Sequence, residues 1–325
     1  MNKQIEISIV IATFNREKNL FNIIHALKKQ ISVLQCHFEI ILCDSNSNKR
    51  ISVINYIKQF NNLKTHYYNC SINHQAYKRN YGLKKSKGKY VIFIDDDCIP
   101  ENKFLYSYLK ILRLNRNNVV YCGHVKYIQF KENKNLIRYR QSRLITHLEH
   151  KKNIPIKNFI SMNMGINKKL FQLKNVFFDN KFKYYGFEDF EFAYRLLKHS
   201  FKIHLIKALV FHYDNRDFDI FLKKYNYLGE FGILDITKIN LQAAKKSIFY
   251  KIDTNIVLNN FIKIYKIIFF IFMLQKIIIF IEKRSYFYLS FIYKIGIFAA
   301  FLLGMIKRKT NYKDNNLLKL NSWYK

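Results

Sequence analysis

Acidic residues are scarce in this chain. Only 22 Asp and Glu stand against 56 Lys and Arg in 325 residues, a balance of 56 − 22 = +34. A field of that sign disfavours cationic partners and favours anionic ones: nucleotide phosphates, nucleic acid or an acidic membrane surface. Proline occurs twice and glycine nine times, and no long flexible linker or internal repeat interrupts the chain. The five cysteines, Cys36, Cys43, Cys70, Cys98 and Cys122, are odd in number and show no paired metal-ligand spacing. They argue against a disulfide framework and for a reduced, cytosolic chain. The opening Met-Asn-Lys-Gln enters a strand pattern almost at once, with no signal-peptide h-region. What is abundant is apolar: half the residues are hydrophobic, which excludes global disorder. The length suffices for a full α/β core with a smaller appendage. Ile, Lys, Asn, Tyr and Phe are used heavily, a bias that an A/T-rich genome produces, so single lysines carry little weight.

Over the first hundred residues strand and helix patterns alternate. The segments Ile5–Ile11, Phe38–Cys43, Leu63–Tyr68 and the apolar run Tyr90–Phe93 read as strands. Helical spacing joins Leu20, Ile23, Ile24 and Leu27, then Ile51, Ile54, Ile57 and Phe60, then a stretch around Ala76–Lys87. The alternation predicts an α/β fold with a doubly wound, mostly parallel sheet. From Leu105 to Lys157 the pattern weakens. Strand-like runs return at Val119–Cys122 and Ile203–Phe211, and a helix opens at Glu188.

The most informative segment is Ile94-Asp95-Asp96-Asp97. Three consecutive carboxylates at a strand exit repel one another, so a positive partner is expected; a divalent cation carrying a phosphorylated ligand is the simplest. An acidic turn facing water is the alternative. In doubly wound sheets ligands bind beyond the carboxyl ends of the strands. Asp44 leaves one strand at that edge and Asp95–Asp97 leave another, so four carboxylates are expected at one crevice.

The ordered set Ser8-Ile9-Val10-Ile11-Ala12-Thr13-Phe14-Asn15-Arg16, Cys43-Asp44-Ser45-Asn46-Ser47, Arg79-Asn80-Tyr81-Gly82 and Phe93-Ile94-Asp95-Asp96-Asp97 resembles glycosyltransferase family 2. These are inverting sugar transferases with a GT-A-like nucleotide-diphospho-sugar transferase fold, and the match runs to about residue 215. Gly186-Phe187-Glu188-Asp189 and His212 resemble the second half of the galactosyltransferase and chondroitin-polymerase-like branch. The resemblance implies a catalytic domain over 1–215, with a nucleotide-binding half at 1–100 and an acceptor half at 101–215. A helical, apolar and basic extension occupies 216–325.

The resemblance also implies roles. Asp95 and Asp97 match the D-x-D element, with Asp97 the direct ligand of Mn²⁺ or Mg²⁺ and Asp95 on the metal, its bound water or the ribose. Asp96 lies on the donor with them. Asp44 matches the aspartate that reads the base; Ser45 and Asn46 depart from the family's acidic residue and glycine, which leaves base identity open. Phe14 stacks on the base, near Ala12 and Arg16, or is a core aromatic. Arg79 pairs with Asp44, approaches a phosphate, or is a solvated helix charge. Asn163 and Gly165 match a segment under the donor sugar. Asp189 is the implied general base and Glu188 the residue that orients the acceptor; an acidic cluster at a helix N-terminus is the competing reading. His212 is implied as a metal ligand, which favours manganese, or is an ordinary hydrogen-bonded histidine.

These implications describe a metal-dependent inverting transferase moving sugar from a UDP-sugar to a hydroxyl of a glycan or lipid-linked acceptor, in polysaccharide or surface-glycan synthesis. A nucleotidyltransferase or phosphohydrolase using the same carboxylate edge is the enzymatic alternative. A basic nucleic-acid-binding protein is the other; no nucleic-acid module is recognisable, and none is expected as partner. From residue 256 onward twelve Lys and Arg face two acidic residues, 12 − 2 = +10. The apolar stretches Ile264–Ile281 and Tyr286–Ile306 suit docking on an anionic membrane, with spanning or core packing as alternatives. The expected location is cytoplasmic, peripheral on the inner face of the cell membrane.

Overall fold

A computed structural model describes residues 4–31, 36–45, 48, 50–60, 62–130, 133–144, 154–255, 265–284 and 287–310. Asn46, Ser47, Ile264 and Tyr286, which figure in the motifs above, lie outside the described residues. The chain divides into two compact units. One comprises Met1–Ile128, Leu144–Asn180 and Phe192–Asp214; the other comprises Gln129–Arg143, Lys181–Glu191 and Asn215–Lys325.

The first unit holds, in chain order, β1 (Ile7–Thr13), α1 (Glu17–Lys28), β2 (Phe38–Asp44), α2 (Arg50–Lys58), β3 (Lys64–Asn69), α3 (Gln75–Lys85), β4 (Tyr90–Asp95), β5 (Cys98–Pro100), α4 (Phe104–Leu112) and β6 (Val119–Tyr127). After α5 (Lys134–Gln141) of the second unit come β7 (Asn163–Asn167) and α6 (Lys168–Leu173). Helix α7 (Glu188–Lys198) begins in the second unit and ends in the first, and β8 (Lys202–His212) closes the sheet. The sheet order is β3-β2-β1-β4-β7-β6-β8-β5. Strands β3, β2, β1 and β4 are mutually parallel, β6 and β8 are parallel, and β7 and β5 run antiparallel to their neighbours.

The continuous apolar runs have a simple cause. Side chains alternate faces along a strand, and here both faces are covered. Ile7, Ile9 and Ile11 of β1 join one core with Ile40, Leu42, Ile92 and Ile94, against Leu20, Ile23, Ile24 and Leu27 of α1. Val10 joins the opposite core with Ile41, Val91 and Phe93, against Ala76 and Leu83 of α3 and Phe192, Ala193 and Leu196 of α7. Helix α4 buries Phe104, Leu105, Tyr108, Leu109 and Leu112 at helical spacing.

The second unit also contains α8 (Phe218–Tyr227), a π-helical turn at Leu228–Gly232 and short helices at Ile233–Ile239, Leu241–Lys246 and Ile248–Asp253. Two long helices follow, Tyr265–Arg284 and Ser290–Thr310. Leu136, Tyr139, Phe218, Leu222, Ile278, Ile279, Ile292 and Tyr293 form its core, with the Tyr139 and Tyr293 rings stacked at 4.8 Å.

Candidate active site

Register places the acidic residues at one edge. Thr13 at the end of β1 sits opposite Asp44 of β2, and Ala12 sits opposite Asp95 of β4. Two parallel neighbours of one strand thus end in aspartates one register position apart, at the carboxyl ends where doubly wound sheets bind ligands. Just past that edge, Cys98 of β5 pairs with His212 of β8. That pairing brings His212 Nε2 to 3.1 Å from Asp97 Oδ1, and the Tyr213 backbone N–H donates to the Asp97 carbonyl at 2.8 Å.

Each aspartate of the triplet has a cationic partner. Arg16 Nη1 lies 2.9 Å from Asp96 Oδ1 and 2.6 Å from Asp97 Oδ2. Arg79 Nη2 donates to Asp95 Oδ1 at 2.7 Å. The positive charge expected at the triplet is therefore supplied, at least in part, by side chains. Arg79 thus reaches Asp95, while Asp44 Oδ2 accepts from Tyr67 Oη at 2.6 Å and its Oδ1 from the Ser45 N–H at 2.8 Å.

Burial and charge divide the triplet. Burial, reinforced by Asp97 and Asp95, pushes the Asp96 carboxyl up to about 6 despite Arg16. Burial acts on Asp97 in the same sense, but His212 and Arg16 overcome it and hold that carboxyl well below the usual range. Asp96 and Asp97 in turn raise the Arg16 guanidinium, against the effect of its burial.

Asp97, Cys98 and His212 offer ligand atoms that lie within 4.8 Å of one another, and all three residues are buried. His212 Nδ1 is buried with no hydrogen-bond partner among the described residues. Burial, then Asp97, pushes the Cys98 thiol well up, and its soft sulfur is the least suited of the three to a hard cation. The donor set that remains is one carboxylate and one imidazole, which fits a hard to borderline divalent cation.

Asn163 and Gly165, expected under the donor sugar, also brace the scaffold. Asn163 accepts from Tyr108 Oη at 2.7 Å and donates through Nδ2 to the carbonyls of His124 and Ala208 at 3.0 and 2.9 Å. Those carbonyls flank the register shift between β6 and β8 at Gly123/His124, where the ladder leaves acceptors to satisfy. A Cβ on Gly165 would come within 2.4 Å of the Tyr108 ring, so its smallness admits Tyr108.

Phe14 is half-buried. Two residues here escaped the sequence reading. Tyr67 lies on β3 two positions before the residue opposite Asp44; a tyrosine that close to the end of a neighbouring strand was the available signal. Lys78 is buried, donates to the Thr13 carbonyl at 2.7 Å and Asn73 Oδ1 at 2.6 Å, and lies 5.6 Å from the Phe14 ring centre. With 56 basic residues in the chain, nothing marked it out.

Glu188 and Asp189 belong to the second unit and open α7. Gly186 has φ +102° and Phe187 φ +67°, a left-handed turn that a side chain at 186 would oppose. A Cβ there would also meet Leu228 at 2.2 Å. The turn folds back so that the Gly186 N–H donates to Glu188 Oε2 at 2.9 Å, which leaves Asp189 half-buried at the head of the helix. Asp235 Oδ2 anchors the preceding strand of chain by accepting from the N–H groups of Lys183 and Tyr184.

Comparison with known proteins bears on this geometry. The sequence model of glycosyl transferase family 2 matches residues 8–173. Chondroitin synthase of Escherichia coli is 28% identical over 232 residues, covering 59% of this chain and 32% of that protein. The chain spans about a third or less of the length of the curated relatives it first matches. Among solved structures, S. aureus TarS 1-349 in complex with UDP superposes with a TM-score of 0.52 at 14% identity, over 95% of this chain and 93% of that one. GalNAc-T7 with UDP, GalNAc and Mn2+ gives 0.55 at 16% identity, over 78% of this chain and 51% of that one. The structural likenesses speak for the fold alone. With the family match covering half the chain and the strand-edge carboxylates at its centre, the chain belongs to glycosyl transferase family 2.

Proposed function

We propose that this chain transfers a sugar from a UDP-sugar to a hydroxyl of a glycan or lipid-linked acceptor, with inversion and with a divalent cation, in surface-polysaccharide synthesis. The observation that carries the reading is Asp97 held between Arg16 and His212 at the strand edge that also presents Asp44 and Asp95. The UDP and UDP-GlcNAc complexes of TarS and the UDP and Mn2+ complex of GalNAc-T7 support the donor class. Family membership weighs against nucleotidyl transfer and phosphohydrolysis.

Asp97 and His212 would hold Mn²⁺, or Mg²⁺ less well given the imidazole. When bound, the cation offsets the negative charge that develops on the diphosphate leaving group. Asp44 accepts the imide N–H of the base, and Phe14 packs against its face. Arg16 and Arg79 hold the triplet in place and add positive charge along the diphosphate. Asp189 takes the proton of the acceptor hydroxyl as that oxygen bonds to the anomeric carbon. The bond from that carbon to the diphosphate oxygen breaks, and its electron pair leaves with UDP. Glu188, fixed by the Gly186 N–H, orients the acceptor.

The test has two arms. A thermal-shift screen of UDP-sugars should raise the melting temperature more with Mn²⁺ than without. Asp97→Ala and Asp189→Asn should each lose turnover by roughly 10²–10⁴-fold while remaining folded. Full activity in both purified variants would refute the assignment.

A further inference from the structure

We propose that the outward faces of the Tyr265–Arg284 and Ser290–Thr310 helices form a docking surface for an anionic phospholipid leaflet. Eleven of the twenty exposed large apolar residues among the described residues fall between Phe270 and Phe298, so the exposure is concentrated rather than scattered. On the first helix the exposed large apolar residues are Phe270, Phe272, Met273, Ile277, Phe280 and Ile281, and all but Phe272 lie on one side. At about 100° per residue these five share an arc of about 100°. The opposite side carries Ile271, Ile278 and Ile279, which are buried. The helix is thus apolar on both sides, and the unit's own core covers one of them. On the second helix Phe291, Ile295 and Phe298 are exposed at i, i+4 and i+7, while Ala299–Ile306 is buried.

Charge selects the occupant. The two helices carry eight Lys and Arg against Glu282 alone. Several of the basic groups border the apolar arc. Lys276 lies 5.5 Å from the Phe272 ring centre and Arg284 lies 4.1 Å from that of Phe280, and Lys294 is exposed beside Phe291 and Ile295. Long basic side chains laid along outward aromatics, with their heads in solvent, suit the boundary between acyl chains and headgroups. Lys283, Arg308 and Lys309 also meet acidic groups, Asp217 for the first and Asp253 for the other two, so they add less.

A second copy of the chain would oppose these cations with their like, on a protein that already carries +34. Nucleic acid would answer the charge but leave the aliphatic arc uncovered. Spanning fits less well. Ser290–Lys309 is long and apolar enough to cross a bilayer, yet 61% of that window is buried within the protein.

The measurement is co-sedimentation of the full chain with vesicles of mixed phosphatidylglycerol and phosphatidylcholine, against phosphatidylcholine alone. The mixed vesicles should carry the chain down, and salt should weaken the binding. Ile277→Gln combined with Phe280→Gln should lower partition roughly tenfold at an unchanged melting temperature. Lys276→Gln and Lys294→Gln should each lower it roughly fivefold. The proposal is overturned if the wild-type chain stays in solution with both vesicles, or if the substituted chains sediment like wild type. It is also overturned if sedimentation equilibrium shows a dimer that the apolar substitutions dissociate, because the face then belongs to a second copy. No donor or acceptor enters the assay, so its failure would leave the transfer reading untouched.

Discussion

Two acidic positions stand on the same sheet edge and are held in opposite ways. Asp44 is fixed by neutral donors, the Tyr67 hydroxyl and the Ser45 N–H. Asp95–Asp97 are fixed by Arg79, Arg16 and His212. Neutral hydrogen bonds orient a carboxylate without cancelling its charge, whereas ion pairs cancel it locally. The first arrangement suits an acceptor that must read an N–H on a base. The second suits a site that meets a diphosphate, where like charge has to be offset in advance. The edge is therefore two half-sites, and each can be broken separately.

Substitution at the two half-sites should separate cation from nucleotide. Asp97→Ala, which should lose roughly 10²–10⁴-fold in turnover, should also abolish the response to Mn²⁺. Asp44→Asn should keep that response and weaken UDP binding by roughly ten- to a hundredfold, the worth of a hydrogen bond to a charged group. Calorimetric titration of each variant with Mn²⁺ and with UDP makes the comparison. If Asp44→Asn loses Mn²⁺ as readily as Asp97→Ala does, the division into half-sites fails.

Lys78 links the two halves, because its ammonium feels both Asp96 and Asp44. Burial is the larger influence and lowers this group from 10.5 to about 8 in the folded chain. Between those values the unfolded chain keeps a proton that the folded chain has released. Stability from this group therefore rises with pH across the window, and its unfavourable contribution is complete below about 8. Lys78→Met removes the dependence. The difference in unfolding free energy between variant and wild type should change by about 3 kcal/mol from pH 8 to 10.5, with the variant relatively most stable at the lower end. A flat difference in denaturant titrations would show that the ammonium is not desolvated.

The legible parts of this molecule share one property: their pattern is repeated over several residues. Strands β1, β2 and β4 announce themselves because both faces are buried, so apolar residues dominate, with Ser8, Glu39 and the terminal Thr13, Asp44 and Asp95 as the exceptions. Strand β7 does not, because Asn163-Met164-Gly165-Ile166-Asn167 spends its polar and small residues on bracing β6 and β8 and on admitting Tyr108. Its antiparallel direction is thus invisible in sequence. Strand β5 is three residues long, too short to show a period, yet it sets the His212–Asp97 contact. Helix α4 has Phe104, Leu105, Tyr108, Leu109 and Leu112 at helical spacing, but it lies inside the stretch from Leu105 whose overall pattern is weak, which hid the signal. In the site, residue types at strand ends were legible, while the choice of partner was not. That Arg79 donates to Asp95 depends on where α3 packs against the sheet, which no local pattern shows.

Tyr67 offers the finest test, because it acts only through Asp44. Its hydroxyl donates to Asp44 Oδ2 at 2.6 Å, and burial followed by that bond pushes the phenol far above its ordinary value, so it remains a donor throughout the working range. Tyr67→Phe keeps the ring and removes one of the donors that orient the carboxylate. Stability should fall by about 1–2 kcal/mol and UDP affinity by roughly fivefold, with Mn²⁺ affinity unchanged. A merely structural loss would cost the same in any background. A positioning role makes the two changes interdependent: in an Asp44→Asn chain, Tyr67→Phe should cost UDP affinity almost nothing, because the carboxylate it orients is gone. Additive losses in that double-mutant cycle would mean that Tyr67 supports the strand and not the reading of the base.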